Sequence, residues 1–220
     1  MEIRPLVLAC SLLLAGAFPA LAEEKEALLP VQEFLQYVRE PFQAPTRATF
    51  SGKLQSDPSR EGKRCLEPLT LEAAFAAGEM HGLIMVGAKK DTPGDAYSIV
   101  QRQEPGKTPV VELKLPEKAV TAPLASLGLY PEDISFTFVY WDLLHDFKHY
   151  AVAGQTCRLL ELQHPTTGDR VLASFSVKYG FPLRIEHYRK GEDKPWRILE
   201  FKDFKEYADG FWFIKEMVIH

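Results

Sequence analysis

The sequence predicts an α+β fold in which one antiparallel sheet does most of the building, and three observations predict it. From Leu127 to His220, apolar, aromatic-rich runs alternate with turn formers: Thr167-Gly168-Asp169, Lys190-Gly191-Glu192-Asp193 and Asp209-Gly210. That rhythm belongs to strands that each pair with the one just before. Upstream, Ala27, Leu28, Val31, Phe34, Leu35 and Val38 recur at the spacing of a helical apolar stripe, which Pro41 and Pro45 end. No repeat, low-complexity tract or linker divides the chain, so residues 23–220 are expected to form a single domain.

Residues 1–22 read as a secretory leader. Arg4 supplies the positive start, Leu6 to Ala17 is an apolar run too short to span a bilayer, and Ala20-Leu21-Ala22 is a small-x-small cleavage signal. Cleavage is expected after Ala22, giving an exported chain. Lipoprotein processing at Cys10 is the rival reading, and it leaves only a few apolar residues ahead of the cysteine. The net charge of −4, without blocks of Lys or Arg, offers nothing to nucleic acid. Past the leader there are two cysteines, Cys65 and Cys157. In an oxidising compartment they form one disulfide or stay as two buried thiols, and both readings are open.

Along the chain, the stripe predicts a helix over 26–42, which either simply packs on the sheet or lids a cavity. A strand follows over Thr46–Leu54. Leu69–Ala76 suits a strand or a short helix. Leu83–Gly87, Ala96–Arg102 and Val110–Leu115 read as strands separated by turns at Asp91–Asp95 and Glu104-Pro105-Gly106. If Ile134–Tyr140 is extended, Ile134, Phe136, Phe138 and Tyr140 share one face. Five more strands are expected over 157–163, 170–178, 183–188, 196–207 and 211–219. A slip of apolar phase between Phe201 and Phe204 suggests a bulge.

Catalytic and metal arrangements are missing. His145 and His149, with Asp142 and Asp146 nearby, have helix-face spacing, but a solvated surface is the default reading. Neither cysteine has a CxxC partner, and no G-x-S-x-G elbow occurs. Glu132-Asp133 reads as a turn or helix cap before it reads as an acid pair. No enzyme, cofactor or metal is therefore expected. The excess lies in aromatic residues. Of these, Phe136, Phe138, Tyr140, Trp141, Phe175, Phe201 and Trp212 are the candidate lining of an apolar ligand cavity.

The succession Asp133-Ile134-Ser135-Phe136, Phe138-Val139-Tyr140-Trp141, Gly154-Gln155-Thr156-Cys157-Arg158-Leu159-Leu160-Glu161, Leu183-Arg184-Ile185-Glu186-His187-Tyr188, Phe201-Lys202-Asp203-Phe204 and Asp209-Gly210-Phe211-Trp212-Phe213 resembles the outer-membrane lipoprotein-sorting-like family. The likeness covers about residues 127–220 well and the first half loosely. It implies a LolA/LolB-like domain: a strongly curved antiparallel sheet, or half-open, incomplete β-barrel, with helices covering its concave face. The implied role is that of a periplasmic, monomeric carrier of lipid or lipoprotein acyl chains, working with envelope transport proteins. The alternative is an envelope scaffold or interaction module whose sheet is filled by its own aromatic side chains, with no connected apolar void.

Overall fold

A computed structural model of the chain describes residues 6–12, 29–43, 45–55, 66–76, 78–87, 94–104, 107–115, 129–152, 154–206 and 212–220. Among them are twelve strands. The first six are β1 Leu6–Leu12, β2 Thr46–Gln55, β3 Leu66–Ala76, β4 Glu79–Val86, β5 Asp95–Arg102 and β6 Val110–Lys114. The rest are β7 Asp142–Val152, β8 Gln155–Gln163, β9 Arg170–Ser176, β10 Pro182–Tyr188, β11 Arg197–Glu206 and β12 Trp212–Ile219. All join one sheet in the order β6-β5-β4-β3-β2-β1-β12-β11-β10-β9-β8-β7. Every ladder is antiparallel. The sheet is thus two six-stranded meanders joined at β1 and β12, and its edges are β6 and β7. With α1 Val31–Gln43 and the short α2 Pro131–Ser135, the class is α+β.

Each element has a local cause. Helix α1 carries its stripe as Phe34, Leu35, Tyr37 and Val38, all buried, while Gln32, Glu33, Gln36 and Glu40 face solvent. Leu69–Ala76, for which strand and helix were both open, lies within β3. Its alternation of Leu69, Leu71, Ala73 and Phe75 towards the core is a two-residue period.

The expected extended run through Phe136 and Phe138 is corrected. It is α2 followed by a 3-10 turn, Thr137–Tyr140. Pro131 at the first helical position and Asp133, whose Oδ2 accepts the Tyr130 N–H at 2.7 Å, start the helix. Phe136 then takes a left-handed φ of 49° to link the two turns, a costly backbone for a bulky residue that its buried ring must hold in place.

Strand β7, where the His145–His149 segment read as a loop or helix face, was missed because it is an edge strand. Leu144, Phe147 and Tyr150 are exposed, so the strand shows no clean apolar face. Between Phe201 and Phe204 the β11–β12 register is continuous, from Leu199↔Ile219 to Glu206↔Trp212, so no residue is inserted there. The irregularity is Asp203, with φ of 53°. Finally, Leu6–Leu12, the apolar core of the expected leader, is paired as β1 between β2 and β12.

One large core fills the sheet face under α1. It runs from Phe75, Ile84 and Tyr97 on the first meander to Leu160, Phe175 and Leu199 on the second. A smaller cluster of Cys157, Phe181 and Leu183 lies apart from it.

Candidate binding sites

Aromatic residues from four elements meet beneath α1. The Phe136 ring lies 6.0 Å from Phe138, 5.9 Å from Phe201 on β11 and 5.6 Å from Phe42 on α1. Phe138 lies 6.3 Å from Phe175 on β9, and Phe175 lies 6.3 Å from Phe34. These spacings and tilts are those of interlocked rings. Four of the seven candidate cavity residues, Phe136, Phe138, Phe175 and Phe201, are therefore packed against one another. Two cavities flank this layer.

The first, about 400 Å³, lies beside α1 and is lined by Arg39, Phe42, Gln43, Phe75, Met80, Gln101, Gln103 and Tyr140 among others. Its apolar wall is Phe42, Phe75 and Met80. The Gln103 amide nitrogen donates to the carbonyls of Glu104 and Lys107, which fixes the orientation of the group. Its Oε1, and that of buried Gln101, then have no partner among the described residues. Buried acceptors without donors are costly, so they mark where a donor would be welcome. Burial raises the Tyr140 hydroxyl above the usual phenol range, against the pull of Arg39. The roof is held by two long-range bonds: Arg39 Nε donates to Val139 O at 2.8 Å, and Tyr37 Oη donates to Lys178 O at 2.9 Å.

The second cavity, about 380 Å³, lies at the turn end of the sheet. Trp141 and Phe138 reach it, joined by Tyr130, His164, His187, Tyr188 and Trp196, none of which the sequence singled out as lining. At its back a buried ion pair joins Arg197 to Asp133. The Arg197 guanidinium also lies 4.5 Å from the Tyr130 ring centre. Burial pushes the Asp133 carboxyl up to about 7, against the pull of Arg197 and the Tyr130 N–H. Burial, and then Arg197, push His187 down to about 4, so its imidazole is neutral.

The other candidates fall elsewhere. Trp212 is on β12, opposite Glu206. Cys157 is buried and its thiol is pushed up by burial, while Cys65 lies outside the described residues. His145 Nδ1 lies 2.7 Å from Glu161 Oε2, and Asp146 is paired with Arg158. Arg158 also donates to Leu29 O at 2.6 Å, tying the start of α1 to β8.

No protein-family model matches the chain, and no curated protein matches it by sequence. Several solved structures are similar in fold, two of them as follows. One is an outer membrane lipoprotein-sorting protein domain from Vibrio parahaemolyticus, with TM-score 0.64 and 16% identity, over 85% of this chain and 87% of that one. The other is a DUF1329 family protein from Desulfovibrio piger, with TM-score 0.63 and 15% identity, over 86% and 90%. The chain has a LolA/LolB-like fold.

Proposed function

We propose that the protein is an exported, non-enzymatic carrier that holds lipid or a lipoprotein's acyl chain beneath α1, in a sheet curved into a half-open barrel. The observation that carries the curvature is the second cavity. Val111 on edge strand β6 and His187 on β10 line the same space of about 380 Å³. In the sheet order eight steps separate those strands. Laid flat, that is about 38 Å at ~4.8 Å per step, so one cavity lined from both strands supports a bent sheet.

The cargo site is the cavity beside α1. Phe42, Phe75, Met80 and Tyr140 offer it an apolar wall, and the unpaired Gln101 and Gln103 oxygens offer acceptors to an amide N–H at the acylated end. Each methylene buried is worth ~0.8 kcal/mol, so one acyl chain supplies ample affinity. Helix α1, roofing the cavity, is the part that must move for loading, with the aromatic layer parting beneath it. The Vibrio domain's description as lipoprotein-sorting supports the same reading.

The interlocked Phe136, Phe138, Phe175 and Phe201 favour the second reading, a scaffold filled by its own side chains. Titration with a fluorescent N-palmitoylated peptide separates the two. A carrier binds it saturably at micromolar concentration or tighter, and Gln43→Trp, which places bulk at the cavity from an exposed helix position, blocks it. Absence of saturable binding, or binding that ignores Gln43→Trp, favours the scaffold.

A further inference from the structure

The two cavities want different occupants. In the one at the turn end, every charged group of the lining but Glu132 is already committed. Arg197 holds Asp133 and covers Tyr130, and Arg189 lies 5.4 Å from the Trp196 ring centre. Arg170 donates to Glu161 Oε1 at 2.6 Å and to Glu192 O at 2.9 Å. Asp169 accepts from Thr167 Oγ1 at 2.9 Å and from the Lys190 N–H at 3.0 Å. An anion finds no guanidinium to spare. A cation finds guanidinium groups already over the Tyr130 and Trp196 rings.

A bare acyl chain fits no better. The Tyr130 hydroxyl, the Glu132 carboxylate, the Trp141 and Trp196 indole N–H groups and the His187 ring have no hydrogen-bond partner among the described residues. His164 Nδ1 accepts the N–H groups of Thr166 at 3.1 Å and Thr167 at 3.2 Å. That assignment leaves its proton on Nε2, a donor without a partner among the described residues. Covering these groups with methylenes would take them from water and give nothing back. His187, neutral down to about pH 4, both donates and accepts.

We infer that this cavity binds a neutral sugar ring, whose hydroxyls pair with Glu132, His164 and His187 and whose C–H face lies on the aromatic wall. A ring that is dense in hydroxyls and apolar on one face gives each of these polar groups a partner and the aromatic wall a contact. The size, about 380 Å³, is in the range of small-ligand sites. The ring is either a free saccharide or the head of a glycolipid. The site is independent of the acyl reading, since its residues other than the core ring Phe138 belong to neither α1 nor the cavity beneath it.

The test is tryptophan emission on titrating the protein with glucose, galactose and N-acetylglucosamine, with their octyl β-glycosides, and with choline as a charged control. At least one sugar is expected to shift the emission at millimolar concentration, and Glu132→Ala and His164→Phe to weaken it at least about tenfold. Equal response to a free sugar and its octyl glycoside identifies a saccharide site, while response to the glycoside alone identifies a glycolipid head. Binding of the N-palmitoylated peptide by Glu132→Ala is expected to be unchanged, so the two sites fail separately. Silence with every sugar and glycoside, a shift that survives both substitutions, or preference for choline overturns the inference.

Discussion

Arg197 is a charge with almost no exposure, at 5%, and its counter-charge Asp133 is as deeply buried. Removing one member leaves the other stranded, which costs more than removing both. Arg197→Met should therefore lower the unfolding free energy by about 3–5 kcal/mol, and Asp133→Leu/Arg197→Met should recover much of that loss. Urea melts decide it; a double variant no better than the single one contradicts the account.

Two titrations meet at the same place with opposite signs. Asp133 is raised from 3.8 to about 7, so the stability it adds is full below the lower value and is lost as pH rises towards the upper one. His187 is lowered from 6.5 to about 4, so its stability is present above 6.5 and is lost as pH falls towards 4. His187→Gln leaves Asp133 unopposed. Between pH 7 and pH 5 the variant should therefore gain more stability on acidification than the native chain, and equal slopes in urea melts would contradict that. At this scale the sequence was half legible. Glu132-Asp133 read as a turn or a helix cap, and Asp133 does start α2, but nothing in Trp196-Arg197-Ile198 separates a buried arginine from a solvated one.

Among the elements, α1 is seated against Gly180. A Cβ built there would lie 2.8 Å from Tyr37 Cε1, and its φ of 70° already suits only glycine. Gly180→Ala should cost more than about 1 kcal/mol and loosen α1 first. Hydrogen exchange is expected to rise over residues 31–43 while the β8–β9 ladder keeps its protection; unchanged protection of α1 would show that the helix is not seated there. The helix itself and most strands were readable because a stripe of three and four or an alternation of two declares each one. The run through Phe136 was not, because its aromatic alternation mimics a strand while the left-handed Phe136 folds it back. Edge strand β7 was hidden for the opposite reason, having no buried face to advertise.

For the whole molecule, hairpin order gave the antiparallel meanders, since ten of the eleven ladders join strands consecutive in sequence. The exception is the join at β1 and β12, a contact between chain ends that local pattern does not encode. It also carries a consequence for export. The proposed cleavage after Ala22 would remove β1, and β2 and β12, each antiparallel to it, would become parallel neighbours on closing the gap. The two cavities were not legible either, since the sequence listed the right kind of side chain but not which rings pack together and which line a space.

One measurement bears on export and cargo together: native mass spectrometry of the chain expressed with its own N-terminus and recovered from the periplasm. The account predicts a polypeptide beginning at Glu23 that carries a non-covalent adduct of lipid mass, shed on collisional activation. A polypeptide of any length that arrives bare, and stays bare when lipid or an N-acylated peptide is added, contradicts the carrier.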